Sequence, residues 1–234
     1  MMDSCADAAF FWVAPVARWI VLQDDPHSRA SPDVSFVEAA LRRRLSPLAK
    51  LSLRAAHECA GELPNVRIVY ASRHGDLART TAMLFDLTRG QELSPTAFSM
   101  SVLNASAGVY SIAKTDRTAS TAISAAQASF GWGLLEASLQ LASGADTPVL
   151  LIYADEPAPA PYGTLTADVT EAQAIGLLLD NGAPNKLVCQ IRSADAPASA
   201  VSQSSAFLSC LDRKKTTATW HGEGKTWTWN LQGQ

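Results

Sequence analysis

The chain has 234 residues, of which 47% are hydrophobic, and a formal net charge of −3. Its length suits one large domain or two small ones, and its apolar content is ordinary for a globular protein with a packed core. The negative charge argues against nucleic-acid binding, which is typical of basic chains. The four cysteines form no C-x-x-C pair and have no histidine at metal-ligand spacing, so we expect reduced thiols, no metal and no cofactor.

An apolar run occupies residues 8–22 near the N-terminus. Asp3 and Asp7 precede it, Pro15 interrupts it and Arg18 lies inside it, whereas a signal peptide has a basic start and an unbroken apolar stretch. The run is also too short and too interrupted to span a bilayer. It therefore predicts a buried strand, and we expect a cytoplasmic protein without a membrane span.

Helical and extended segments alternate along the rest of the chain. Helices are predicted at residues 42–60, 77–87, 129–143 and 199–211, and strands at 66–71, 117–124, 148–154, 172–179 and 187–192. Gly222-Glu223-Gly224 separates two further strands, 216–221 and 225–231, as in a β-hairpin. This alternation predicts an α/β fold with a mixed sheet covered by helices and a C-terminal hairpin. We expect one domain over residues 1–234, with 195–234 as a possible appendage.

No common catalytic motif is present, since the chain lacks a G-x-S-x-G elbow, a phosphate-binding glycine loop and an H-E-x-x-H pair. Of the four histidines, His27 lies in a polar loop, His57 on a helix and His221 at the edge of the hairpin. Only His74 follows a strand, where α/β proteins commonly place functional residues. A single histidine at such a position is more often a structural hydrogen-bonding side chain.

The stretch from Leu93 to Glu156 carries an ordered set of motifs. Its members are Ser94-Pro95, Asn104 four residues before Gly108, a strand that runs into Ala126-Gln127-Ala128-Ser129, and a helix ending at Ser143-Gly144. The set resembles the N-terminal half of the β-ketoacyl synthases of the thiolase fold, over roughly residues 10–191. In that family a tight turn after a strand holds a nucleophilic cysteine at the start of a buried helix, whose amides lower the thiol pKa and bind the oxyanion. Matching the motifs from either end places Gln127 at the nucleophile position.

Glutamine cannot act as that nucleophile, because its side-chain amide is neutral and its nitrogen lone pair is delocalised. The chain therefore resembles the short, half-length chain-length factors of aryl-polyene and xanthomonadin-type pigment clusters, which also share the motif from Arg42 to Leu48. The resemblance implies a pseudoenzyme that pairs with an active β-ketoacyl-ACP synthase in type II polyketide or fatty acid biosynthesis. A heterodimer or a dimer of heterodimers is expected, with acyl carrier protein bound through the partner. Gln127 itself is expected to be a structural amide at a buried turn.

The resemblance also implies two groups of interface residues. In the family, the strand before the nucleophile pairs across a two-fold axis, which assigns pairing with the partner to Thr118, Ala119, Ser120, Thr121, Ala122 and Ile123. None of these six is charged, and an unpaired strand of this kind would be an aggregation hazard in a monomer. The residues expected to reach into the partner's acyl tunnel are Thr96, Ala97, Phe98, Met100 and Asn104. Ala97 falls where active enzymes often carry a bulky aromatic side chain, while Phe98 or Met100 would either close the tunnel or pack in the core.

Two other functions stay open. A glutamine at the nucleophile position also occurs in ketosynthase-like domains that decarboxylate malonyl-carrier protein, which would prime the same pathway. Those domains need two histidines from the family's C-terminal half, and this chain has no histidine between His74 and His221. The third possibility is a scaffold that stabilises the ketosynthase without shaping its product.

Overall fold

The computed structural model describes residues 9–23, 31–144, 147–211 and 215–233. Asp3, Cys5, Asp7 and His27 lie outside the described residues. In chain order the strands and helices are β1 (Phe10–Gln23), α1 (Ala39–Arg42), α2 (Pro47–Ala60), β2 (Arg67–Ala71), α3 (Leu77–Thr88), α4 (Pro95–Ser99), α5 (Ala105–Lys114), β3 (Ser120–Ile123), α6 (Ser129–Ala142), β4 (Val149–Asp155), β5 (Gln173–Leu179), β6 (Asn185–Ser193), α7 (Gln203–Leu211), β7 (Thr217–Gly222) and β8 (Lys225–Gln232). Two 3₁₀ turns, Ala126–Ala128 and Ala160–Thr166, join some of these elements.

The eight strands form one sheet in the order β3-β2-β4-β5-β1-β6-β8-β7. Strand β2 is parallel to β3 and to β4, and the other pairs are antiparallel, so the predicted mixed sheet is confirmed. Strands β4 and β5 are buried along their whole lengths, because helices cover both faces of the sheet there. Helices α6 and α7 pack on one face, and α2 and α5 pack on the other. Strands β3 and β7 are the two edges.

The helix predicted at residues 42–60 is wrong at its start. The Ser46 hydroxyl accepts the backbone N–H three residues on at 3.1 Å, and Pro47 occupies the first helical position. Both features begin a helix, so α2 starts there, while Arg42 ends the separate short helix α1. The end of α2 at Ala60 agrees with the prediction. Gly61 follows it with a φ of 60°, a backbone conformation that commonly ends a helix.

Strand β1 is a strand as predicted, but most of it is not buried. Ala14 and Val16 are buried, whereas Phe11 keeps 60% of its surface exposed. Phe11 pairs with Gln190 on the neighbouring strand, so it shares a sheet face with polar side chains. The prediction of a fully buried strand is therefore wrong, because one face of β1 is partly exposed to solvent.

The segment before β3 differs from the prediction. Helices α4 and α5 were not predicted, and the strand expected at residues 117–124 is shorter. The Asp116 carboxylate accepts the backbone N–H groups of Val66, at 3.0 Å, and Thr118, at 2.8 Å. These bonds hold a turn, so Thr118 and Ala119 lie outside β3.

The C-terminal hairpin is confirmed. Glu223 and Gly224 form a two-residue turn with φ values of 53° and 70°, the positive values that a type I′ hairpin requires. Strand β8 pairs along its length with β6, and its Trp227 and Trp229 are fully buried in the core beneath α6 and α7. Helix α7 begins at Gln203, four residues later than predicted.

The described cysteines are interior thiols. Cys59, Cys189 and Cys210 are free and buried, and burial raises the pKa of Cys59 and of Cys210 to about 12. Within residues 9–23, 31–144, 147–211 and 215–233, no three side chains of His, Cys, Asp or Glu are grouped as metal ligands would be. None of the helices in these ranges has the length and apolar character needed to cross a bilayer.

Candidate functional site

The site forms where β3 turns into α6. Ala126 has a φ of 45°, a left-handed conformation that is uncommon for a residue with a β-carbon. The buried Ser129 hydroxyl braces this turn, accepting the Ala125 N–H at 2.8 Å and donating to the Ala126 carbonyl at 2.7 Å. Strained backbone of this kind persists where the surrounding structure holds it, and it is concentrated at functional sites. We call residues 125–129 the elbow.

Gln127 is at the centre of the elbow, and its side chain is exposed. The expectation of an amide at a buried turn is therefore wrong for this chain. The elbow follows β3, and its last residue, Ser129, begins α6; Ala128 and Ser129 are buried, whereas Gln127 is not. The backbone N–H of Gln127 donates to the Glu223 carboxylate of the hairpin turn at 3.0 Å.

Helix α6 packs very closely on the sheet behind the elbow. A β-carbon at Gly131 would be 2.5 Å from the Trp227 ring, and one at Gly133 would be 2.6 Å from the side chain of Ala71. Only glycine fits at both positions without a shift of the neighbours. The Gly131 N–H, in the first turn of α6, donates to the Gln203 side-chain oxygen at 2.7 Å.

A buried carboxylate lies at the carboxyl end of the parallel strands, as the elbow does. Asp155, at the end of β4, accepts hydrogen bonds from the Ser72 hydroxyl at 2.7 Å, from the Arg73 N–H at 2.9 Å and from the Tyr153 hydroxyl. Burial raises the pKa of Asp155, although all three donors favour its ionised form. Ser124, beside the elbow, donates to the Arg73 carbonyl at 2.9 Å, so this network holds the loop after β2 against the elbow.

Sequence reasoning missed the Asp155 network. The available signal was a single carboxylate at the end of an otherwise continuous apolar strand, since Asp155 follows Val149-Leu150-Leu151-Ile152-Tyr153-Ala154. A buried acid at the carboxyl end of a strand requires hydrogen-bond donors from neighbouring loops. Which loops supply them depends on the strand order, which periodicity does not reveal.

The described histidines are not grouped. His74 follows β2 on the loop that contacts the elbow, and it is exposed, with a pKa that partial burial lowers. His57 stacks on Phe36 at a ring-centroid distance of 4.2 Å. The Nδ1 atom of His221 is 2.9 Å from the Thr226 hydroxyl. His74 lies on the loop that is hydrogen-bonded to Ser124, beside the elbow, and His221 lies two residues before Glu223, whose carboxylate accepts the Gln127 N–H.

The residues predicted to line a tunnel lie on α4 and just after it. Thr96 and Ala97 are half-buried on α4, and Phe98 is 59% exposed, so core packing is wrong for Phe98. Met100 follows α4 and packs partly against the core beneath α2 and α5. Asn104 is exposed immediately before α5 and its side chain makes no capping hydrogen bond.

Of the residues predicted to pair with a partner, those from Ser120 to Ile123 form β3, an edge strand of the sheet. The Ala119 carbonyl accepts the Ile68 N–H of β2 at 3.3 Å, and the Ile123 carbonyl accepts the N–H of Ser72, just after β2, at 3.2 Å. Because backbone groups alternate in direction along a strand, the N–H and C=O groups of Ser120 and Ala122 point away from β2. Within the described residues no strand lies on that side of β3.

Exposed large apolar side chains lie on α3, α4 and α5 and in the segment between α4 and α5. They are 45% to 71% exposed and comprise Leu84, Phe85 and Leu87 on α3, Phe98 on α4, Val102, and Ile112 on α5. Helix α5 packs on β3, and α3 contacts α4. Ile112 therefore lies on a helix that packs on the unpaired edge strand, and an exposed large apolar side chain at such an edge is a feature that a protein interface commonly buries.

Comparison with known proteins gives a consistent match. Residues 17–230 match the family model described as beta-ketoacyl synthase, N-terminal domain. The chain is similar to a chain in the complex of the ketosynthase ApeO with its chain length factor ApeC from Xenorhabdus doucetiae, with 26% identity and a TM-score of 0.79. That match covers 94% of this chain and 99% of the other, so the two are nearly equal in length. No curated protein matches the sequence.

Two more distant structures share the fold. The ishigamide ketosynthase/chain length factor is 18% identical over 62% of this chain and 48% of its own, with a TM-score of 0.53. A beta-ketoacyl synthase from Burkholderia phymatum STM815 is 18% identical over 81% of this chain and 58% of its own, with a TM-score of 0.58. The chain spans about half the length of these two proteins. The predicted thiolase-like, half-length ketosynthase fold is therefore confirmed.

Proposed function

Because the chain belongs to the β-ketoacyl synthase N-terminal domain family, we propose that it is a non-catalytic chain-length factor, which pairs with an active β-ketoacyl-ACP synthase and shapes that enzyme's acyl tunnel. The observation that carries this proposal is the elbow. It has the strained backbone and the following helix of a nucleophile turn, and the Ser129 hydroxyl braces it, yet its central residue is Gln127. A glutamine amide cannot form the thioester that a condensation requires.

The partner is inferred from the edge strand. The outward backbone groups of Ser120 and Ala122 offer hydrogen bonds to a second strand, and the exposed Ile112 on α5, the helix that packs on β3, offers apolar surface to bury beside it. The similarity to a chain of a ketosynthase–chain length factor complex supports an active ketosynthase as the protein that supplies this strand. In the proposed heterodimer, or dimer of heterodimers, acyl carrier protein delivers its substrate to the cysteine of the partner.

The contribution to the tunnel is assigned to α4 and the residues after it. Phe98 is exposed on α4 next to the half-buried Ala97, so this helix carries a large side chain beside a small one. One methylene group in an apolar pocket changes discrimination by about 1–3 kcal/mol, which is enough to favour or prevent another elongation cycle. The small side chain of Ala97 would leave room for a longer acyl chain.

Replacement of Ala97 tests this role. The chain carrying Ala97→Phe, reconstituted with its ketosynthase and acyl carrier protein, should give shorter products, because the added ring fills tunnel volume. Ala97→Ser is the matched control, since it changes the residue without adding bulk. Products are measured by mass spectrometry after both heterodimers are confirmed by size-exclusion chromatography. An unchanged chain-length distribution from an intact Ala97→Phe heterodimer would contradict the tunnel role and favour the scaffold.

A decarboxylase function has less support. Among the described residues, His57 stacks on Phe36 and His221 contacts the Thr226 hydroxyl, so neither is paired with His74, whereas decarboxylating relatives use a pair of histidines. The purified chain should therefore release no carbon dioxide from malonyl-carrier protein above the uncatalysed rate. Catalytic release of carbon dioxide by the purified chain would contradict the proposed chain-length factor function and support a decarboxylase.

A further inference from the structure

The C-terminal segment of the chain occupies hydrogen-bond donors at the elbow. The Gln127 N–H donates to the Glu223 carboxylate at 3.0 Å, although the two residues are 96 positions apart. The Gly131 N–H, one turn further on, donates to the Gln203 side chain at 2.7 Å. Backbone amides in such a turn are the groups that stabilise an oxyanion in acyl transfer. Here side chains of the same molecule already accept these hydrogen bonds.

The hairpin turn is held firmly in this position. The Gly224 carbonyl accepts the Ala194 N–H at 3.1 Å, and the Ser199 hydroxyl accepts the His221 N–H at 2.9 Å. Glu223 itself has a φ of 53°, at a turn position that asparagine, aspartate or glycine adopts more easily. A residue kept in an unfavourable backbone conformation points to a role for its side chain.

We propose that Glu223 closes the degenerate active site of this chain, its carboxylate holding the backbone amide that would otherwise bind the oxyanion of an acyl thioester. The charge of the carboxylate also opposes any thiolate or oxyanion at the elbow, because like charges at short distance disfavour each other. Loss of the cysteine is then one of two changes that silence the site. If the chain acts as a chain-length factor as proposed above, acyl groups are excluded here and bind at the partner's cysteine.

The proposal is tested by placing a thiol at the elbow and removing the charge. Gln127→Cys and Gln127→Cys/Glu223→Gln are prepared as the purified chain, and alkylation of residue 127 by iodoacetamide is followed from pH 6 to pH 10 by peptide mass spectrometry. The peptide masses distinguish the thiol introduced at position 127 from the native thiols. Gln127→Cys/Glu62→Gln is the matched control, because Glu62 lies before β2, at the opposite end of the parallel strands from the elbow. Arg73, His74 and Lys225 are the same in all three variants.

We expect the pH midpoint of alkylation to fall by about one unit when Glu223 becomes glutamine and to stay unchanged in the Glu62 control. Below the midpoint the rate should rise about three- to fourfold, since a tenfold gain in thiolate is partly offset by its lower nucleophilicity. Equal midpoints in the Glu223 and Glu62 double variants, with equal unfolding temperatures, would overturn the proposal. The measurement needs no ketosynthase, so its failure is distinguishable from failure of the proposed pairing.

Discussion

The substitution Ala122→Pro should weaken binding of the partner without changing the stability of the chain itself. The N–H of Ala122 points away from β2, so Ala122→Pro removes no hydrogen bond within the chain. Proline is tolerated on an edge strand when its missing N–H faces outward, and it favours an extended conformation in the residue before it. The free energy of unfolding of the isolated chain should therefore change by less than about 1 kcal/mol.

Pairing with the ketosynthase should weaken strongly. One inter-chain hydrogen bond contributes about 1 kcal/mol net, and the partner's carbonyl left buried without a donor costs a further 1–3 kcal/mol, roughly. The sum of about 2–4 kcal/mol corresponds to a Kd that is about 30- to 1,000-fold higher. The Kd is measured by isothermal titration calorimetry with the purified ketosynthase, and stability by urea unfolding followed by circular dichroism.

Thr121→Pro is the matched control for this experiment. By the same alternation, the backbone groups of Thr121 point toward β2, and its hydroxyl accepts a hydrogen bond from Gln140 at 3.0 Å. This variant should lose at least about 2 kcal/mol of its own folding free energy. An Ala122→Pro chain that binds the ketosynthase with the wild-type Kd would refute pairing through β3.

Two further predictions concern the fold around the elbow and the buried thiols. Ser129→Ala should lower the free energy of unfolding by about 1–2 kcal/mol, because it removes both hydrogen bonds that brace the turn. Gln127→Ala, at the exposed residue of the same turn, should change the free energy of unfolding by less than about 0.5 kcal/mol. Equal effects of the two substitutions in urea unfolding would show that Ser129 does not hold the elbow. Burial raises the pKa of Cys59 from 9.0 to about 12, so between these pH values the unfolded chain releases a proton that the folded chain retains. Stability should fall in this window by up to about 1.4 kcal/mol per pH unit from this thiol, and Cys59→Ala should show a correspondingly shallower slope.

Local periodicity predicted most of the elements but not all of their limits. Strands β4 and β5 were identified because they are apolar throughout, and the hairpin because Glu223-Gly224 is flanked by alternating strands. Helix α4 was missed because it is short, buries no residue completely and so gives a weak apolar pattern. Helix α5, which follows it, was missed as well. The start of α2 was misplaced because apolar spacing is less informative there than the cap formed by Ser46.

The sequence alone determined that residue 127 is a glutamine between a strand and an apolar helix, and this excludes thioester chemistry at that position. Only the tertiary structure decided that Gln127 is exposed, that β3 is an edge, and that Glu223 reaches the elbow. The physical reason is the range of the interactions involved. Apolar periodicity records burial within a few residues, whereas strand order and the hydrogen bonds of a charged side chain depend on which distant segments the fold brings together.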